Sequence, residues 1–197
     1  MITQFVELPK PKAAKTIHNL TWEQLEELDH SLEDLAGVKL AYLDGTAEIM
    51  PIGREHEDFK STIARLIEAY MDAKDIRFYK RGGPSLGDKE LGARNEPDES
   101  YNLDTLKPYP DLAIEVVVTS GGINKLEGYR RMGVREVWRW EDGLLEIHHL
   151  RDNGYEKSSR SELLPNLPID LFCRYITYYD QYDAVREFRI ALRSQSD

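Results

Sequence analysis

The segment Asp111-Leu112-Ala113-Ile114-Glu115-Val116-Val117-Val118 constrains the fold of this chain more than any other stretch. It is a strand-length run, almost entirely apolar and rich in β-branched residues. Such a strand is buried on both faces, so its sheet needs a layer of cover on each side, which points to helices packed around a central sheet. A carboxylate in the middle of the run is costly to bury unless a partner or a metal ion compensates it. Alternation along the strand puts Asp111, Ala113, Glu115 and Val117 on one face and Leu112, Ile114, Val116 and Val118 on the other. Asp111 and Glu115 then share a face about 13 Å apart, four residues at about 3.3 Å each.

The 197 residues read as one domain built around that strand, with no internal repeat and no linker. Residues 1–19 read as a loosely packed leader, 20–50 as a helix plus a hairpin, 54–140 as the core and 141–197 as C-terminal additions. Thr21 and Gln24 form a capping box, with Leu20 and Leu25 placed as a hydrophobic staple, and open a helix to about His30. The stretch 38–49 reads as a hairpin turned at Asp44-Gly45. Phe59, Ile63, Leu66, Ile67 and Tyr70 recur as a single stripe and predict a helix over 54–73. Strands are expected at 76–80, 96–103 and 112–118, with a loop or irregular ribbon over 82–95, where Gly and Pro cluster. A helix over 123–132 closes at Gly133. A strand at 134–140 then turns through Asp142-Gly143 into 144–150, and Asn153-Gly154 makes a further turn. Pro165 and Pro168 punctuate 163–171 before a last amphipathic helix over about 178–192. The order helix, three strands, helix, strand describes a mixed α/β layered sandwich. Trp138 and Trp140 read as an exposed stripe suited to an interface in a homodimer.

Charge narrows the functional classes. The chain has 26 basic and 36 acidic residues, a net charge of −10. Non-specific nucleic-acid binding through counterion release needs clustered Lys and Arg, so a DNA-coating role is disfavoured. A carboxylate-rich site that neutralises phosphate through a bound metal is compatible with the same balance. The single cysteine, Cys173, forms no internal disulfide and no zinc cluster, which makes a reducing, cytoplasmic setting the default. No apolar run approaches the roughly 20 residues of a membrane span, and no secretory pattern opens the chain. Dinucleotide, phosphate-loop, serine-elbow and zincin motifs are all lacking.

The acids near the central strand are therefore the chemical candidates. Pro97 fixes an extended entry in Glu96-Pro97-Asp98-Glu99-Ser100, so Asp98 can start a strand antiparallel to 112–118 and bring its carboxylate beside that of Glu115. Converging carboxylates suit a hard cation such as Mg²⁺ (or Mn²⁺), with waters completing the octahedron. Lys125, ten residues after Glu115 and just past the Gly121-Gly122 break, can reach back over them. His56 lies on the apolar stripe of the 54–73 helix, either as a core histidine or aimed at the acids as a supporting group, with Glu57 nearly opposite the stripe. Ser120 sits in a turn resembling a phosphate cradle and shapes the route to Lys125. The bland alternatives are a strand-capping Asp111, an Arg-paired Glu115, a solvated acidic turn at Asp98 and a surface Lys125. His148 and His149 point apart on an alternating strand and are assigned no role.

Four motifs in order carry a resemblance. These are Glu96-Pro97-Asp98-Glu99-Ser100-Tyr101, Pro110-Asp111-Leu112-Ala113-Ile114-Glu115-Val116, Thr119-Ser120-Gly121-Gly122-Ile123-Asn124-Lys125-Leu126 and Gly133-Val134-Arg135-Glu136-Val137-Trp138. With them the chain resembles the Uma-two family of restriction-endonuclease-like proteins over about residues 20–170. The resemblance implies the PD-(D/E)XK nuclease fold, with an αβββαβ core, an N-terminal helix-plus-hairpin and extra C-terminal strands and helix. It implies a Mg²⁺-dependent endonuclease acting on DNA, in which Asp98 and Glu115 hold the metal and Lys125 positions water. Asp111 matches a proline–aspartate motif and is a further candidate ligand. Asp98 is favoured because it belongs to the neighbouring strand. The standard pattern places its lysine two residues after the glutamate, where this chain has Val117; Lys125 substitutes from the following helix. That departure, with the acidic net charge, also suits an alternative: an inactive nuclease fold acting as a binding or regulatory subunit.

Overall fold

The protein is described by a computed structural model covering residues 13–32, 34–118 and 122–194. In chain order the elements are β1 Lys15–Ile17, α1 Trp22–Leu32, β2 Val38–Leu43, β3 Thr46–Pro51, α2 Arg54–Ala73, β4 Phe78–Lys80, β5 Leu86–Asp88, β6 Ala93–Asn95, β7 Glu99–Leu103, β8 Leu112–Val117, α3 Lys125–Met132, β9 Glu136–Glu141, β10 Leu144–Arg151, β11 Gly154–Ser158, α4 Ile169–Ile176 and α5 Gln181–Ser194. They build two sheets. The larger runs β11-β10-β9-β8-β7-β4 and the smaller β1-β3-β2-β6-β5. The sequence α2, β4, β7, β8, α3, β9 is the expected αβββαβ core, interrupted only by β5 and β6.

The apolar run forms β8 at the heart of the large sheet. It pairs antiparallel with β7 and parallel with β9, the crossover between β8 and β9 being made by α3. Its two faces are covered as the alternation requires. Leu112, Ile114 and Val116 join the main core with α2, α4 and α5. Ala113 joins a second core with Tyr129 and Met132 of α3. Trp138 and Trp140 are 0% and 2% exposed and belong to the main core, so they are not a surface stripe and supply no interface. On a strand covered on both faces by helices, aromatic residues fill the layer next to α2 and α4. Trp138 packs edge-on against Phe172 with centroids 5.7 Å apart.

The N-terminal segment behaves locally as its turn and cap residues dictate. Thr21 and Gln24 exchange the reciprocal bonds of a capping box, at 2.9 and 3.3 Å. Asp44 and Gly45 both take positive φ, 44° and 86°, in the two-residue turn between β2 and β3. Residues 15–17, read from sequence as part of a loose leader, form a strand registered on β3, while residues 1–12 lie outside the described part. The stretch 82–95 is a ribbon: β5 and β6 pair with each other, and β6 pairs with β2. An insertion in the core thereby completes the N-terminal sheet and docks it on the core around the larger sheet. α4 also departs from expectation. Pro168 is its N-cap, in extended backbone with φ −75° and ψ 92°, a position whose N–H makes no intrahelical bond, so a proline costs nothing there. There it opens a helix.

Gly128 brings α3 close to the small sheet. A Cβ at this position would lie 2.8 Å from the Asn95 amide nitrogen, and that amide donates to the Lys125 carbonyl at 2.8 Å. The start of α3 is thus pinned to β6. Replacing Trp138 by alanine is expected to destabilise the fold by about 3–5 kcal/mol, the cost of an unfilled aromatic site in a close-packed core, measured by urea unfolding.

Candidate active site

Glu115 and Asp98 reach the same cavity from adjacent strands. Glu99 lies opposite Ile114 in the β7–β8 ladder, and the Asp98 amide donates to the Ile114 carbonyl at 2.9 Å. Asp98, the residue before β7, is thus held beside β8, and its side chain and that of Glu115 line one cavity. The cavity, about 450 Å³, is lined by both acids together with Lys39, Glu48, His56, Lys125, Tyr129 and Arg139. Asp98 is 1% and Glu115 5% exposed.

Neither buried charge is left bare. The Glu115 carboxylate accepts from Lys125 Nζ at 2.7 Å and from the Tyr129 hydroxyl at 2.5 Å. Lys125 and Tyr129 stand four residues apart on α3 and so share one helix face. Burial works to lower the Lys125 pKa, but the Glu115 charge beside it outweighs that effect, and the ammonium is held above the ordinary lysine value. Burial and then the Glu115 charge push the Tyr129 phenol well above its usual range, so it remains a donor.

Asp98 is held from three sides. Val116 N–H donates to Oδ2 at 2.6 Å, His56 Nε2 lies 3.0 Å from Oδ1, and Lys39 Nζ makes a close ion pair with Oδ1. Burial acts to raise this carboxyl's pKa. The His56 hydrogen bond and the Lys39 charge overcome it and hold Asp98 below the ordinary carboxylate range. Near neutral pH it is therefore a carboxylate.

The sequence candidates divide clearly. Asp98, Glu115, Lys125 and His56 converge. Glu57 contacts the outer ring nitrogen of His56 at 3.2 Å while remaining half exposed, so it touches the site through the imidazole. Asp111 is not brought in. Its carboxylate accepts from Lys107 Nζ at 2.6 Å and from Leu103 N–H at 2.9 Å, and it sits four residues before Glu115, outside the cavity lining. Asp111 thus ties the start of β8 to β7. Ser120 lies outside the described residues.

Two further participants escaped the sequence reading. Glu48, 2% exposed on β3, accepts from the backbone N–H groups of Gly122 at 2.6 Å and Ile123 at 3.5 Å, anchoring the approach to α3. It stands between Ala47 and Ile49, the same pattern of an acid between buried neighbours that singles out Glu115. Lys39 stands between Val38 and Leu40 in the same way. The hairpin that carries both also lines the cavity through Met50 and Pro51.

The donor set is compatible with a hard divalent cation. Mg²⁺ uses one or two carboxylates and fills its remaining positions with water, and Asp98 with Glu115 is such a pair. Among the described residues, no three His, Cys, Asp or Glu side chains are grouped closely enough to form a complete ligand cage.

The sequence profile of the Uma-two family, described as "Putative restriction endonuclease", matches residues 22–174. A solved structure from Anabaena variabilis, described as a "putative nuclease", superposes with a TM-score of 0.47 at 13% identity, covering 76% of this chain and 90% of that one. No curated protein matches the chain.

Replacing Asp98 by asparagine is expected to cost about 3 kcal/mol near neutral pH, because the buried Lys39 ammonium loses its counter-charge. A depressed folded pKa stabilises fully above the unfolded value and progressively less below it. The difference between wild type and D98N, measured by denaturant unfolding in chelator, should therefore shrink as pH falls below about 4, the unfolded aspartate value.

Proposed function

The chain belongs to the Uma-two family of restriction-endonuclease-like proteins, and on that premise we propose that it hydrolyses DNA phosphodiester bonds with Mg²⁺ or Mn²⁺ held by Asp98 and Glu115. The observation that carries this reading is that two buried carboxylates, Asp98 just before β7 and Glu115 on β8, line one cavity, with the Lys125 ammonium 2.7 Å from the second. A divalent ion at such a pair supplies polarisation of the phosphodiester and an acidified bound water.

The chain's own groups have separable tasks. Lys125 keeps its proton, so it does not act as a base. It places a fixed positive charge where negative charge grows on the phosphoryl oxygens, an effect that a water-poor site strengthens. Tyr129 keeps the Glu115 carboxylate oriented by donating to its other oxygen. His56 and the Val116 amide do the same for Asp98. The displaced lysine is accommodated because α3 starts at Lys125 and its first turn is pinned to Asn95. An ammonium from a different element therefore arrives at the same carboxylate that a lysine two residues along the strand would approach.

A second reading, a binding subunit without turnover, is favoured by one specific observation: both carboxylates already carry ammonium partners, Lys39 on Asp98 and Lys125 on Glu115. The readings separate on plasmid DNA with Mg²⁺. A nuclease nicks it, loses activity in D98A and E115A, and slows by about 10²–10³-fold in K125M, the usual effect of deleting one preorganised electrostatic contact. Equal cutting by wild type and the two acid variants would assign the activity to a contaminant. No cutting by any of them would favour the binding subunit.

A further inference from the structure

Asp98 meets a cation contributed by the other sheet. Lys39 leaves β2, and its ammonium contacts Asp98 Oδ1, the Pro97 carbonyl at 2.8 Å and the Glu96 carbonyl at 3.2 Å. Those three acceptors match the three N–H donors of an ammonium group. The side chain is 11% exposed, so little solvent competes for it. The next residue is tied to the same bend, since Leu40 N–H donates to Glu96 Oε2 at 3.1 Å.

We propose that Lys39 is a built-in counter-ion that occupies Oδ1 of Asp98, so that a divalent cation would bind only by displacing it. The inference rests on the reading of Asp98 and Glu115 as the metal pair and adds what sets their affinity. Oδ2 of Asp98 accepts from the Val116 amide, while Lys39 and His56 both engage Oδ1. A hard cation needs that lone pair and repels an ammonium at contact distance. Charge across the cavity leads to the same point. Asp98, Glu115 and Glu48 supply three carboxylates against the ammonium groups of Lys39 and Lys125 and the Arg139 guanidinium, so a dication would enter a site whose charges are already balanced.

Displacement need not unfold the strand. Lys39 can surrender the carboxylate and keep the Pro97 and Glu96 carbonyls, while the Leu40 bond holds β2 on the bend. Lys39 is thus a positioning residue with an opposing effect on metal: it keeps Asp98 in place in the metal-free protein and weakens divalent binding.

The test is titration calorimetry of the full chain with Mg²⁺ alone and with Mn²⁺ alone, without DNA. K39M and K39Q are expected to bind at least tenfold more tightly than wild type, while K39R, which keeps the charge, stays near wild type. K39Q retains hydrogen bonding to the carbonyls and carries the test if K39M fails to fold. A purely structural lysine gives the opposite pattern, with equal or weaker metal binding in both uncharged variants. That result, with Glu115-dependent binding in wild type, would overturn this inference and leave the metal pair standing. Absence of binding in wild type and all variants would remove both.

Discussion

Burying two carboxylates side by side is the constraint around which the rest of this protein is arranged. An uncompensated carboxylate inside a sheet would destabilise a domain whose whole folding free energy is about 5–15 kcal/mol. Each acid is therefore surrounded by donors drawn from a different part of the chain. Glu115 is met by Lys125 and Tyr129 from α3. Asp98 is met by His56 from α2, Lys39 from β2 and the Val116 amide from β8. The helices, the crossover and the N-terminal sheet are all held in place partly by what they contribute to those two groups.

This arrangement joins stability to chemistry. Donors that make burial tolerable also fix the oxygens that a cation would use, and the lysines that neutralise the acids are the groups a cation must coexist with or displace. The small sheet is part of the site on this account. It supplies Lys39 directly, and Glu48 holds the backbone leading into α3. The β5–β6 ribbon closes the connection, because β6 pairs with β2 on one side and its Asn95 fastens α3 on the other.

Much of this was legible in residue order. The period of the 54–73 stripe marks α2 over the same residues, and Asp44-Gly45 marks the hairpin turn. Gly133 ends α3 in the left-handed conformation, with φ 72°. The alternation around Glu115 separates the α2-facing from the α3-facing residues of β8. Where the reading failed, local pattern and global placement disagreed. Trp138 and Trp140 alternate like a half-exposed strand, yet α2, α4 and α5 cover that face. Pro168 resembles a break and instead opens a helix. For Asp111 parity alone left the partner open: four residues before Glu115, its carboxylate meets Lys107 and the Leu103 amide.

The sequence alone determined which residues could not be left in water and which acids would be expensive to bury, because hydrophobic periodicity and turn chemistry are local properties carried by neighbouring residues. It thereby specified a central strand covered on both faces and pointed to Asp98, Glu115 and Lys125 as its chemical groups. Only the tertiary structure decided their partners. Lys39 lies 59 residues before Asp98 and Glu48 lies 74 before Gly122, and nothing local to either segment encodes the encounter. Those contacts follow from a small sheet completed by a distant ribbon and docked against the core, and it is that docking which turns a pair of costly acids into an enclosed site.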